Sequence, residues 1–143
     1  MVRPVYEKEE DRSRELEVSR QVSEKWRAKC LMMPKFSAAD MLIFDHNNNP
    51  RCWAEIKSRN IPFGKYEHMH VAVSKILRLQ QLVQLTKLRA IIIGNLTDGI
   101  YWHHCPETEA EIVKDNGGRT DRNDPKDLEP MACFYWHNFK RLA

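Results

Sequence analysis

The sequence predicts an α/β fold, a mixed β-sheet flanked by helices, in a single domain spanning residues 1–143. Three observations predict it. A charged segment with helical period opens the chain, and a hairpin of β-prone runs follows it. An amphipathic helix then leads into the branched run Ile91-Ile92-Ile93. Helical period on both sides of the hairpin, and period two within it, calls for helices that cover a sheet. With 143 residues, 42% of them hydrophobic and 30% charged, the chain can bury one ordinary core.

The first helix is expected from about Glu7 to Ala28, because Val18, Val22 and Trp26 recur every fourth residue and form one apolar stripe. Glu15 falls on that stripe, whereas Glu17 and Glu24 point away from it. A carboxylate on an inward face is costly unless it is paired or borders a site. Cys30 to Phe36 then reads as a short strand, with Pro34 marking an edge or a bulge.

A hairpin comes next. Asn47-Asn48-Asn49-Pro50 favours a tight turn, since Asn tolerates the left-handed backbone conformation. A turn centred on Asn47-Asn48 pairs residues whose numbers sum to 95, which sets Asp40 opposite Glu55. Alternation puts Arg51, Trp53, Glu55 and Lys57 on one face, and Cys52, Ala54 and Ile56 on the core face. Two carboxylates about 5 Å apart at Cβ repel each other. A divalent cation turns that repulsion into attraction, and Mg²⁺ is the hard, carboxylate-preferring choice, with Mn²⁺ able to substitute. Lys57, one step along the same face, is suited to a phosphate oxygen or an attacking water.

Beyond the hairpin, residues 58–65 form a polar, basic loop in which Arg59 and Lys65 are candidate phosphate contacts. Tyr66 to Val73 reads as a third long strand, with His68 and His70 sharing a face. Those two histidines alone do not make a zinc site, because no neighbouring ligand completes the set, and His103 with Cys105 fares no better. Ser74 is the expected N-cap of a second helix, Lys75 to Leu88, whose inner side carries Leu79, Leu82, Val83 and Thr86 and is widened by Ile76 and Leu77. Lys75 sits in its first turn, against the helix dipole, a placement that suits a nearby anion. Ala90 to Ile93 is an apolar inner strand, Thr97-Asp98-Gly99 a turn, and Ile100 to His103 a strand that pairs back. Residues 106–130 form a polar insert, expected as a loop or flap. In Met131 to Leu142, aromatic and basic residues interleave, as in a packing strand, a dimer surface or a base-stacking platform.

Asp40, a hairpin spacer and Glu55-Ile56-Lys57 together resemble the PD-(D/E)xK nuclease motif, and the nearest likenesses are archaeal Holliday junction resolvases and the VRR-NUC nucleases. The resemblance covers roughly residues 5 to 104. The order of elements agrees with it: helix, three strands, helix and strand, the α-βββ-α-β core of the restriction-endonuclease-like fold, with extra strands. One departure is Ala39, which stands where the motif name has proline.

The resemblance implies a metal-dependent endonuclease. Asp40, Glu55 and the Ile56 backbone carbonyl would hold Mg²⁺, and Lys57 would orient the attacking water. In the resembling nucleases a helix-borne glutamate precedes apolar residues three and seven positions on. Glu15 with Val18 and Val22 fits that pattern, and Glu17 is the alternative. Arg59, Lys65 and Lys75 are the expected DNA-binding residues. No helix-turn-helix or zinc finger reads a base sequence, so branched or flapped DNA, cut by a homodimer, is expected ahead of sequence-specific duplex. Two other readings stay open: a non-catalytic nucleic-acid-binding or assembly module on this fold, and a nuclease directed at RNA.

The remaining composition narrows the class. There is no apolar run of about eighteen residues and no secretory h-region, so neither a membrane span nor export is expected. The four cysteines, Cys30, Cys52, Cys105 and Cys133, are scattered and read as reduced thiols of a cytoplasmic, phage-like protein. A net charge of +3 permits nucleic-acid binding without demanding it.

Overall fold

The computed structural model describes residues 9–108, 111–118 and 128–142. Within them the chain runs α1 (Glu9–Trp26), β1 (Lys29–Met32), β2 (Met41–Phe44), β3 (Pro50–Ser58), β4 (His68–Ala72) and α2 (Val73–Thr86). It continues through β5 (Arg89–Leu96), β6 (Gly99–His104), β7 (Lys114–Gly118), β8 (Leu128–Tyr135), a 3₁₀ turn (Trp136–Asn138) and β9 (Lys140–Arg141). Six strands form the main sheet in the order β1-β2-β3-β5-β6-β9, and β4, β8 and β7 form a second sheet in the order β4-β8-β7. β3 and β5 are parallel, joined by the crossover through α2, and the other ladders are antiparallel.

Two apolar layers hold the main sheet. On one face Val18 and Val22 of α1 pack on Met41, Ile43, Ala54, Ile56, Ile91 and Ile93. On the other, Ile76 and Leu79 of α2 meet Trp53, Ala90 and Ile92, and this layer runs on into Met69, Val71, Ala132 and Phe134 of the second sheet. The alternation read along β3 therefore holds. Trp53 faces α2, where its indole N–H donates to Thr86 Oγ1 at 3.0 Å, and Ala54 and Ile56 face α1.

The hairpin register is as expected, with Met41 opposite Ala54, Leu42 opposite Trp53 and Ile43 opposite Cys52. The turn itself is wider than a two-residue one. Asp45 Oδ1 accepts the N–H groups of Asn47 and Asn49 at 2.9 and 3.0 Å, and Asn48 takes the left-handed conformation at φ 65°. A register shift at Ile43/Phe44 absorbs the extra length.

Three expectations need correcting. The strand expected over Tyr66 to Val73 does not extend the hairpin sheet: both edges of β3 are taken, by β2 and by β5, so β4 pairs with β8 instead. Ser74 is not an N-cap. Val73 is buried and already helical, Ala72 occupies the cap with no side-chain bond, and packing has overridden cap chemistry. The expected inner side of α2 is met in Ile76 and Leu79, with Leu77, Leu82 and Val83 partly buried against the same layer, and it begins earlier than expected, at Val73, and takes in Gln80. Gln80 is satisfied there by donating to the Pro106 carbonyl at 2.9 Å. Finally, residues 106–130 are not loop throughout. Lys114–Gly118 is β7 and residues 128–130 open β8, because an antiparallel ladder satisfies backbone groups whatever the side chains are. The rest of that insert, residues 109–110 and 119–127, lies outside the described residues.

Three of the C-terminal aromatics act as packing, Phe134, Trp136 and Phe139 being buried in the α2-side core, whereas Tyr135 is exposed. None of the four cysteines forms a disulfide. Burial pushes the Cys52 thiol up to about 11 and the Cys105 thiol up to about 12. Among the described residues, no helix is long and apolar enough to cross a membrane.

Candidate active site

Asp40 lies immediately before β2, at the open end of the β2–β3 ladder. Its backbone N–H donates to the Ala54 carbonyl at 2.9 Å, and its side chain carries the ladder one step further, Oδ2 accepting the Ile56 N–H at 2.7 Å. In an extended strand the N–H and C=O of one residue point to the same side. The Ile56 carbonyl is therefore directed toward the Asp40 side as well.

Glu55 is 1% exposed, an unusual burial for a glutamate. Its Oε1 lies 3.2 Å from Lys57 Nζ, on its own strand, and 3.5 Å from Lys75 Nζ, in the first turn of α2. Its Oε2 is buried and has no hydrogen-bond partner among the described residues. A buried polar atom without a partner costs free energy that the fold must carry. Asp40 is strained in a different way. Burial first, and the charge of Glu55 second, push its carboxyl up to about 7, although the Ile56 N–H draws it down. Glu15 raises it further and Lys75 lowers it, so α1 and α2 both reach this carboxyl electrostatically.

The sequence-derived residues divide by position. Asp40, Glu55, Lys57, Lys75 and Glu15 converge where the ends of β2 and β3 meet α1 and α2. Glu15 is held by Arg12, whose guanidinium bonds its Oε2 at 3.3 Å and the Met33 carbonyl at 3.2 Å. The alternative helix acid, Glu17, is exposed and engaged by Arg20 at 2.6 Å, away from this cluster. Arg59 and Lys65 lie on the exposed loop after β3. Arg59 bonds the Ser58 carbonyl at 3.0 Å, and the Lys65 ammonium sits 5.7 Å from the centroid of the Tyr66 ring. Sequence reasoning missed Arg12, although its spacing of three from Glu15 is a readable helical ion pair.

Two carboxyl groups and a strand carbonyl make an all-oxygen donor set, with one buried oxygen lacking a donor and a neighbouring carboxyl driven toward its neutral form. These residues fit a hard divalent cation. The acid-hairpin-ExK arrangement also has relatives. A family model described as "phage putative PDDEXK endonuclease" matches residues 1–142. The chain belongs to that family. Nucleases of the PD-(D/E)xK class generally use divalent metals, in keeping with the donor set found here.

A solved structure of Hjc, a Holliday junction resolvase from the archaeal hyperthermophile Archaeoglobus fulgidus, is similar with a TM-score of 0.52. The two share 9% sequence identity, over 66% of this chain and 76% of that one. At that identity the likeness concerns the fold, which is restriction-endonuclease-like. No curated protein matches the chain.

Proposed function

We propose that this member of the PDDEXK endonuclease family is a Mg²⁺-dependent endodeoxyribonuclease selective for branched or flapped DNA and acting as a homodimer. The observation that carries the metal-dependent reading is the buried, donorless Oε2 of Glu55 beside an Asp40 carboxyl raised to about 7. Asp40, Glu55 and the Ile56 carbonyl would hold the cation. When bound, the cation polarises the scissile phosphate and lowers the pKa of water.

The chain's own residues do the rest. Lys57, tethered 3.2 Å from Glu55, orients the attacking water and meets charge that builds on the phosphate. Lys75, 3.5 Å from the same oxygen, approaches from the α2 terminus and holds a non-bridging phosphate oxygen. Glu15 borders the site from α1, fixed by Arg12. Arg59 and Lys65 supply contacts to the DNA backbone from the loop. Selectivity for branched DNA is supported by the absence of any base-reading motif and by the resemblance to resolvases.

The test is cleavage of supercoiled plasmid, a four-way junction and a matched RNA, with Mg²⁺, Mn²⁺ or EDTA, comparing the wild type with Lys57→Ala. Metal-dependent cutting of DNA that vanishes in the variant, with junction preferred over plasmid, is expected. Binding without cutting under any metal would return the protein to the class of assembly modules. Preference for RNA would overturn the DNA assignment alone.

A further inference from the structure

Outside the carboxylate cluster, a second group of metal-ligating side chains lies on the β4–β8 ladder. His70 pairs directly with Cys133, and His68 lies two residues along β4, so the three share one face of the second sheet. Their neighbours Met69 and Val71 on β4, and Ala132 and Phe134 on β8, face the core, which leaves the three on the opposite side of the sheet. One ligand atom from each, two imidazole nitrogens and the Cys133 sulfur, lie within 4.8 Å of one another.

We propose that His68, His70 and Cys133 form a zinc site that clamps β4 to β8. Two imidazoles and a thiolate are a donor set that zinc favours and that Mg²⁺ does not. At bond lengths of about 2.0–2.3 Å a tetrahedral zinc holds its ligand atoms about 3.3–3.6 Å apart. The ligand atoms have to close at most about 1.5 Å from the spacing seen. His68 supplies a second observation, because its Nδ1 is buried and has no hydrogen-bond partner among the described residues. Metal coordination satisfies that nitrogen, which packing of the two rings at 4.5 Å and 80° leaves unsatisfied. The three protein ligands leave one position for water.

The clamp has a structural consequence. β4 ends at Ala72 and α2 begins at Val73, with Lys75 two residues later, so fixing β4 fixes the start of the helix that brings Lys75 to Glu55. The site itself rests on the β4–β8 ladder and is independent of the nuclease reading.

The experiment uses the full chain, purified without a histidine tag, loaded with Zn²⁺ or Co²⁺ in the presence of a competing chelator. Wild type is expected to hold about one zinc per chain. Its cobalt form is expected to show a thiolate-to-cobalt charge-transfer band. Glu55→Gln keeps both, which separates this site from the carboxylate cluster. Cys133→Ser loses the band and weakens zinc at least about tenfold, the loss that removal of even an outer-shell partner causes. His68→Gln keeps the thiol and weakens zinc to a similar degree. A wild-type cobalt form without the band, or a band that survives in Cys133→Ser, overturns the proposal. The wild-type spectrum decides even where a variant does not fold.

Discussion

The carboxylate cluster on the main sheet and the histidine–cysteine cluster on the second sheet are built by opposite routes. Asp40 and Glu55 sit on one hairpin, and their register follows from a single local turn. His70 and Cys133 meet across a ladder whose strands, 68–72 and 128–135, are far apart in sequence. The donors differ too: oxygen from carboxyl groups in one, nitrogen and sulfur in the other. Both sites contain a buried side-chain atom without a hydrogen-bond partner among the described residues, Oε2 of Glu55 in one and Nδ1 of His68 in the other. Folding strands into place has concentrated donors beyond what the chain itself can neutralise, and each site is suited to a different class of cation.

The largest effect expected at the first site is on turnover. Glu55→Gln keeps the shape of the side chain but removes its charge, and is expected to lower Mg²⁺-dependent cleavage at least about a thousandfold. Lys57→Ala is expected to cost about a hundredfold or more in kcat, with a smaller change in Mg²⁺ affinity, because its charge acts on the transition state. Single-turnover cleavage with titrated Mg²⁺ measures both. Equal losses in Glu55→Gln and in Cys133→Ser would erase the distinction between the two sites.

Stability provides the next test, and its sign is opposite to that of ordinary ion-paired acids. Asp40 titrates near 3.8 in an unfolded chain and near 7 in the metal-free fold. Between those values the fold keeps a proton that the unfolded chain has released, so stability falls as pH rises from about 4 to about 7 and stays low above that. Asp40→Asn removes the penalty, and its amide oxygen can take the place of Oδ2 in accepting the Ile56 N–H. It is expected to stabilise the metal-free protein at pH 8 by up to about 4 kcal/mol, and hardly at all near pH 4. Mg²⁺ should raise the melting temperature of the wild type, and much less that of the variant, with the wild-type gain fading below pH 7 as protons compete. Thermal melts at several pH values with and without Mg²⁺ check this, and a destabilised Asp40→Asn at pH 8 would refute the strained-carboxyl account.

The two regions also touch, at Gly94 of β5. A Cβ there would lie 2.9 Å from two indole carbons of Trp136, the buried residue that follows β8. The clash is with a rigid ring in the core, so Gly94→Ala is expected to destabilise by about 1–3 kcal/mol. Trp136→Leu leaves a cavity by itself, and the double variant is expected to be more stable than the sum of the two single effects predicts. Denaturant melts of the four proteins measure the coupling. Simple additivity would mean that the contact between sheets carries no energy.

What could be read from the sequence follows the same division. The motif acids, the pairing of β2 with β3, the inner strand at Ile91–Ile93 and the approach of Lys75 to an anion are all local signals: turn chemistry, period two, and a cation set against a helix dipole. The turn at Asn47-Asn48 was legible in type but not in length, because Asp45 captures two backbone N–H groups and widens it. The true start of α2 was hidden by Ser74, whose capping preference is weaker than the burial of Val73. The destination of β4 was not legible at all, since no local pattern reveals that β3 has both edges occupied. For the same reason two histidines with no visible third ligand gave no metal site, and the third ligand came from a distant strand.

The smallest expected effect concerns the loop after β3, where Arg59 and Lys65 are exposed. If they contact DNA, they do so through backbone phosphates, and each phosphate neutralised releases condensed counterions. Arg59→Ala and Lys65→Ala are each expected to flatten the plot of log binding constant against log salt by about one unit, similarly for every sequence and structure tested. Binding measured in Ca²⁺ with Lys57→Ala as background prevents cutting during the titration. Lys75→Ala should behave differently, because its ammonium sits 3.5 Å from Glu55: besides the salt slope it lowers cleavage, by about tenfold or more. A loop variant that loses turnover but keeps its slope would move that residue from the binding surface to the reacting centre, and would extend the carboxylate cluster beyond the strands that build it.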